Sequence, residues 1–388
     1  MWDAGLPSDS EGTSMNFSPL IRRSLIWLPC AAFVGLPAVS FAQDKNANAL
    51  RDIVSLFDEA VAAGLPRTLG VPVASAGVAR KVNLGDLVIE TSLEVDVVFP
   101  GEAPGTMYAA TWQGSPAVVT RSGEHLDISI PGKDGVVVTG FVTGSAEPHT
   151  YIGGETEHSS ERADPVAQAT TGAKVASSMV PSPRYPDDEL TFYLFPHDDT
   201  RNTDPHDIHA GFVAWWLADL RRVLIGEPVH LLYSGSVRGV TDISYGTRNV
   251  LIDWSDAVHA YAQVEGLPYE KHSWRHKYFL ITKALPYHGV AGVSWQGGIE
   301  GIGSIRGPYP TFAHEFGHML GATHADADTG FNGWICETNM LDVHSLLRSN
   351  CYTYSPANQR TIREIYRNGS SPIPKEHSLS LLRDMPVD

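Results

Sequence analysis

The chain has 388 residues, and its 28 Lys plus Arg stand against 44 Asp plus Glu, a formal net charge of −16. That length suffices for two domains of ordinary size, each burying its own core. So large an acid excess, with no basic stripe along the chain, excludes nucleic acid as a partner, and the acidity itself reads as solubility.

Taken in order, the chain opens on a targeting pattern. Arg22 and Arg23 form a positive region, Leu25 to Pro37 is apolar, and Ser40-Phe41-Ala42 places small residues at the −3 and −1 positions of a cleavage site after Ala42. Residues 1–42 are therefore expected to be a signal peptide, with Met15 as an alternative start. The apolar run is too short and Pro-interrupted to span a membrane. Cys30 follows Leu28-Pro29, a poor match to a lipoprotein site, so no lipid anchor is expected. The mature chain is expected to be secreted or periplasmic, with no membrane association after signal removal. Two cysteines then remain, Cys336 and Cys351. Export permits a disulfide between them, and two buried free thiols are the alternative.

Residues 44–64 show helical spacing (Leu50, Ile53, Val54, Phe57, Val61). A β-rich block follows, with strands expected at Leu87–Phe99, Thr106–Trp112, Ala117–Arg121, His125–Ile130 and Val136–Val142 and Gly-containing turns between them. Residues 43–154 are thus expected as a smaller β-rich domain. Residues 155–186, rich in Ser, Thr, Ala, Pro and charge, read as a linker. From 187 to 370 strands alternate with helices. Strands are expected at Leu190–Phe195, Val229–Tyr233, Lys277–Thr282, Val290–Trp295 and Ile302–Arg306, and helices at Asp207–Leu224, Asp256–Val264 and Ser355–Arg367. That order predicts an α/β (α+β) domain with a mixed, mostly parallel sheet. Residues 371–388 read as a tail.

Within that second domain stands His314-Glu315-Phe316-Gly317-His318-Met319-Leu320-Gly321-Ala322-Thr323-His324. On a helix, His314 and His318 project from one face a turn apart and can reach one metal ion. Gly321 is where that helix would end, with Thr311 a candidate for its N-cap, and the chain can then bring in His324 as a third nitrogen. Three protein ligands leave one position open, the catalytic arrangement of zinc. Glu315 lies beside the first ligand, where a carboxylate can take a proton from water.

This HExxHxxGxxH pattern, with Met340 following in Glu337-Thr338-Asn339-Met340-Leu341-Asp342, resembles the metzincin metallopeptidases over about residues 187–370. Among them the sequence looks most like bacterial reprolysin-type enzymes. Asp342, not Tyr, stands two residues after Met340, while Ala325 follows His324 where that subfamily has Asp. The β-rich block loosely resembles a prodomain through Trp112-Gln113-Gly114 and Tyr151-Ile152. Residues 43–335 contain no cysteine, so no thiolate from this block can latch a metal. The resemblance implies an exported zinc endopeptidase acting on protein or peptide. Zinc would be held by His314, His318 and His324, Glu315 would be the general base, and Met340 would lie in a tight turn beneath the metal. The competing readings are a non-catalytic zinc-binding adhesin or toxin-like module and a zinc hydrolase of a non-peptide bond. Two further groups suit cations by residue type. Asp326, Asp328 and Asn332 have a spacing that a Ca²⁺ loop could use, and His197, Asp198, Asp199, His206, Asp207 and His209 form a polar run. A solvated loop for the first and helix capping by Asp204 for the second are the simpler readings.

Overall fold

A computed structural model describes residues 52–73, 83–133, 135–144, 148–153, 185–271, 273–341 and 347–369. The expected signal segment, nearly all of the expected linker, Asp342 and the expected tail lie outside the described residues.

The first half contains α1 (Ile53–Ala62) and β1 (Arg67–Val73), then a run of strands: β2 (Asn83–Val98), β3 (Gly105–Trp112), β4 (Ser115–Ser122), β5 (His125–Pro131), β6 (Val136–Val142) and β7 (His149–Gly153). Sequence patterning missed β1 and β7. Short turns force β2 to β7 into an antiparallel meander. Between β3 and β4 the two turn residues Gln113 and Gly114 both have positive φ, 52° and 80°, the type I′ geometry whose twist matches the flanking strands.

The second half contains β8 (Leu190–Pro196), α2 (Pro205–Ile208), a π-helical turn (His209–Val213), α3 (Ala214–Val223), β9 (Val229–Tyr233), α4 (Val250–Glu265) and β10 (His276–Thr282). After these come β11 (Gly292–Ser294), β12 (Glu300–Ser304), α5 (Pro310–Met319), β13 (Thr329–Phe331), β14 (Ile335–Glu337), β15 (Ser349–Asn350) and α6 (Pro356–Asn368). The helix expected over Asp256–Val264 starts earlier, at Val250.

Among the described residues a single 12-stranded sheet runs β11-β12-β10-β8-β9-β2-β3-β4-β5-β6-β7, with β1 also on β2. Within 187–370 its pairings are β10–β12, β8–β10 and β8–β9, all parallel, and β11–β12, antiparallel. The sheet as a whole is mixed, with β2–β9 also parallel and the rest antiparallel. The β-rich block, expected as a smaller domain, shares this sheet with the α/β segment. With 16 residues, β2 is long enough to pair with β1 through its first half and with β9 through Val95–Val98. Where β2 slips register against β3, Glu94 takes φ 53°, and Arg221 of α3 donates to Leu93 O (2.6 Å) and Glu94 Oε2 (2.7 Å).

The core lies on both faces of this sheet, as period-2 strands require. On β10, Phe279 and Ile281 join the cluster holding α3 and α5, while Tyr278 and Leu280 join the cluster holding α4. A third cluster seats α1, through Ile53, Val54 and Phe57, on the meander residues Leu87, Ile89, Val119 and Ile128. No helix among the described residues is long and apolar enough to cross a membrane.

Candidate metal centre

Three aromatic side chains set the position of α5. Phe316 is fully buried and packs on Trp216 (ring centroids 4.2 Å), Phe279 (4.3 Å) and Phe192 (5.2 Å). The Tyr354 hydroxyl donates to Ala313 O (2.5 Å) and accepts from Trp216 Nε1 (2.7 Å), tying α5 to α3 and to the segment before α6. Thr311, expected as the N-cap, lies inside the helix. The cap position is Tyr309, which makes no side-chain cap bond, and Pro310 opens the first turn.

The other end of α5 closes as the glycine predicts. Gly321 has φ 86°, its N–H donates to His318 O (2.9 Å), and the Ala322 N–H donates to Gly317 O (2.8 Å), the paired bonds of a Schellman turn. Lys277, buried in β10, donates from Nζ to Met319 O, Gly298 O and Ser273 O, each at 2.8 Å, and so holds the last turn to the sheet. Beyond the turn His324 swings back toward α5. The structure therefore brings together all three expected histidines. His318 Nε2 lies 3.1 Å from His314 Nε2 and 3.0 Å from His324 Nε2, and the last two are 2.9 Å apart. His314 and His318 are half-buried and His324 is exposed, so the group opens to solvent on one side.

Tautomers follow from the outer nitrogens. His314 Nδ1 faces Asn339 O (2.9 Å), and His318 Nδ1 faces Gln296 Oε1 (2.7 Å) and Ala322 O (3.1 Å). All are acceptors, so both protons sit on Nδ1 and both Nε2 lone pairs point at each other. Two facing lone pairs at that distance repel unless a cation lies between them, and the donor set of three imidazoles suits zinc. Burial, reinforced by the neighbouring imidazoles of His314 and His324, pushes His318 down to about 3. The ring thus stays neutral and available as a ligand.

Glu315 is buried at 6 % exposure. Its Oε2 accepts from the Ser294 hydroxyl at 2.6 Å, and Ser294 also donates to Glu315 O. Burial pushes this carboxyl up to about 8, with the Ser294 bond pulling the other way. A Cβ on Gly292 would fall 2.7 Å from Glu315 Oε1, so that strand residue must be glycine for Glu315 to sit where it does. Met340 is fully buried in the turn that Leu341 N–H closes onto Thr338 O. A Cβ on Gly317 would come 2.4 Å from its sulfur, so the thioether packs against α5 at Gly317, the residue before His318. Cys336 and Cys351 form a disulfide, Cα atoms 5.0 Å apart, joining β14 to the residue after β15.

Other candidates come apart. Asp326 bonds to Thr323, Asp328 to the Thr329 N–H, and Asn332 to Ser349 and Asn350, so the possible Ca²⁺ residues turn to separate partners. The polar run also splits. His197 pairs with Asp199 (2.8 Å), Asp198 accepts from Ser236 and Thr241, and His209 lies between Tyr233 and Thr120. Sequence reasoning missed Gln296 and Ser294, the groups that orient His318 and Glu315. Neither stands in a pattern that local periodicity can flag. A cavity of about 850 Å³ lined by Tyr185, Tyr193, Tyr269, Trp274 and His276 shares no residue with the histidine group.

No family model matches the chain, and no curated protein matches it. Among solved structures it is similar to metalloproteinase-II from Bacteroides fragilis, with a TM-score of 0.51 and 14 % identity, over 81 % of this chain and 96 % of that one. A match of that extent reaches well beyond residues 187–370 and takes in strands of the β-rich half as well. At this identity the likeness concerns architecture: the chain has a metalloproteinase-like fold.

Proposed function

We propose that the chain is an exported zinc-dependent endopeptidase of the metzincin type, most like the reprolysin group, with His314, His318 and His324 as the metal ligands. The observation that carries this reading is the convergence of three imidazole Nε2 atoms within 3.1 Å, two of them deprotonated toward the centre, beside a buried glutamate. Zinc bound there would supply Lewis acidity, acidifying water and polarising a scissile carbonyl.

The chain's own groups do the rest. Glu315 takes the proton of the attacking water and returns it to the leaving amine. Ser294 holds that carboxylate in place through Oε2, and Asn339 O and Gln296 Oε1 fix the ring planes of His314 and His318. Gly321 and the Schellman turn aim His324. Strand β11 is the terminal strand of the sheet and leaves one edge for an extended peptide to pair with. His324 lies on the exposed side, where such a peptide would enter. The β-rich half would act as a prodomain, and its cysteine-free sequence leaves steric cover rather than thiolate ligation as its means of inhibition.

The test is Glu315→Gln. Zinc content should stay at the wild-type level while cleavage of a broad peptide library falls by about 10²–10⁴-fold. Undiminished cleavage by that variant sinks the proposal, and intact zinc binding without cleavage by the wild type would favour the non-catalytic binding module.

A further inference from the structure

A second group of ligand-type side chains lies at the seam where the meander meets α2. His125 and Asp127, two apart on β5, share a strand face, and His206 approaches them from α2. One donor atom from each residue falls within 4.8 Å of the others. Asp127 is 1 % exposed and its Oδ1 has no hydrogen-bond partner, while His206 is 5 % exposed and its Nδ1 has none either. Buried polar atoms are nearly always satisfied, so an orphan on each of two residues of one such group needs an explanation. The far nitrogen of His206 is already engaged: Nε2 lies 2.9 Å from Glu102 Oε1. A carboxylate on the outer nitrogen, with the inner nitrogen open, is how proteins orient a metal-bound imidazole. Phe99 stacks on the His206 ring (3.8 Å) and fixes its plane.

We infer that His125, Asp127 and His206 form a second metal site, for a divalent late transition cation such as zinc. Two imidazole nitrogens and one carboxylate oxygen make a borderline donor set that suits zinc better than calcium or magnesium. Asp204 and Asp207 add negative potential at Asp127, which a dication would offset. The His125 ring stacks on His206 (3.8 Å, 8°), so ligation by both requires His125 to turn about its side-chain torsions, as its half-buried position permits. A Cβ on Gly140 of β6 would fall 2.1 Å from His149 Cε1 and 2.6 Å from Asp127 Oδ1, so a glycine there lets the His149 ring and Asp127 lie against β6. The cation would clamp the meander to α2, a structural role separate from the histidine group on α5.

The test uses the full chain with the first centre removed, His314→Ala/His318→Ala/His324→Ala. This protein is stripped with a chelator, dialysed against zinc and counted by mass spectrometry of the metal. About one equivalent should remain, cobalt substitution should produce visible d–d bands, and adding Asp127→Asn/His206→Gln should abolish both. No bound zinc in the triple variant, or zinc that survives the added pair, overturns the inference. Should the added pair fail to fold, Glu102→Gln decides: a zinc affinity lowered about 10–100-fold is expected, and an unchanged one overturns it. No cleavage assay enters, so failure of the peptidase reading leaves this result independent.

Discussion

At the residue scale the centre depends on which nitrogen of each imidazole carries its proton. Asn339 O and Gln296 Oε1 settle that for His314 and His318, which makes Gln296 a positioning residue for the proposed metal centre. Gln296→Ala is expected to weaken zinc affinity by about 10–100-fold with little change in melting temperature when zinc is saturating. Competition against a chromophoric chelator measures it. A second residue-scale prediction concerns Asp219. It is buried on α3, accepts from Thr353 Oγ1 (2.8 Å) and the Tyr354 N–H (3.2 Å), and burial pushes its carboxyl up to about 6. A carboxyl raised in the folded state binds its proton more tightly there than in the unfolded chain. Its contribution to stability is therefore full below about pH 4 and is lost as pH rises through about 6. Relative to Asp219→Asn, the wild type should lose about 2 kcal/mol between pH 4 and pH 7, read from urea unfolding at each pH.

At the element scale, α5 and its closing turn form the working unit. Gly321 combines φ 86° with crowding, because an added Cβ would come 2.0 Å from Ile365 Cδ1 on α6. Gly321→Ala should destabilise the chain by about 2 kcal/mol or more, and it should raise the zinc dissociation constant as His324 loses its aim. A thermal melt paired with a zinc titration checks both. The helix itself was legible in sequence because His314, His318 and Gly321 lie within one local period. Its N-terminus was not. Thr311 has the side chain of a cap, but Tyr309 and Pro310 are fixed by packing of Tyr309 into the core, and that contact is invisible to a local rule. The strands β2 to β6 were legible for the same local reason as α5, whereas three-residue β13 and β14 are too short to show a period.

At the scale of the whole molecule, the continuous sheet has mechanical consequences. The parallel β2–β9 ladder and the core cluster shared by Val95, Val97, Leu190 and Leu231 bind the two halves independently of the segment that connects them. Cutting an engineered protease site placed between residues 155 and 184 should leave both fragments in one particle under native conditions, separating only in denaturant. Size-exclusion chromatography of the nicked protein, with both bands in a single peak, is the expected outcome. The metalloproteinase-like fold extends over both halves, as the breadth of the match to the Bacteroides fragilis protein requires.

Sequence alone determined what depends on neighbours along the chain: the histidine spacing, the helix stop at Gly321, the alternating strands and the pair of cysteines. Those signals are local, since a helical or strand period sets which side chains share a face before any tertiary contact forms. Only the tertiary structure decided what depends on distant segments meeting. It joined β2 to β9, set Gln296 against His318 and Ser294 against Glu315, and split the polar run so that His206 faces His125 and Asp127. Such pairings depend on how the two sheet faces pack and on which strand finds which edge, and one chain's residue order does not encode either in any short window.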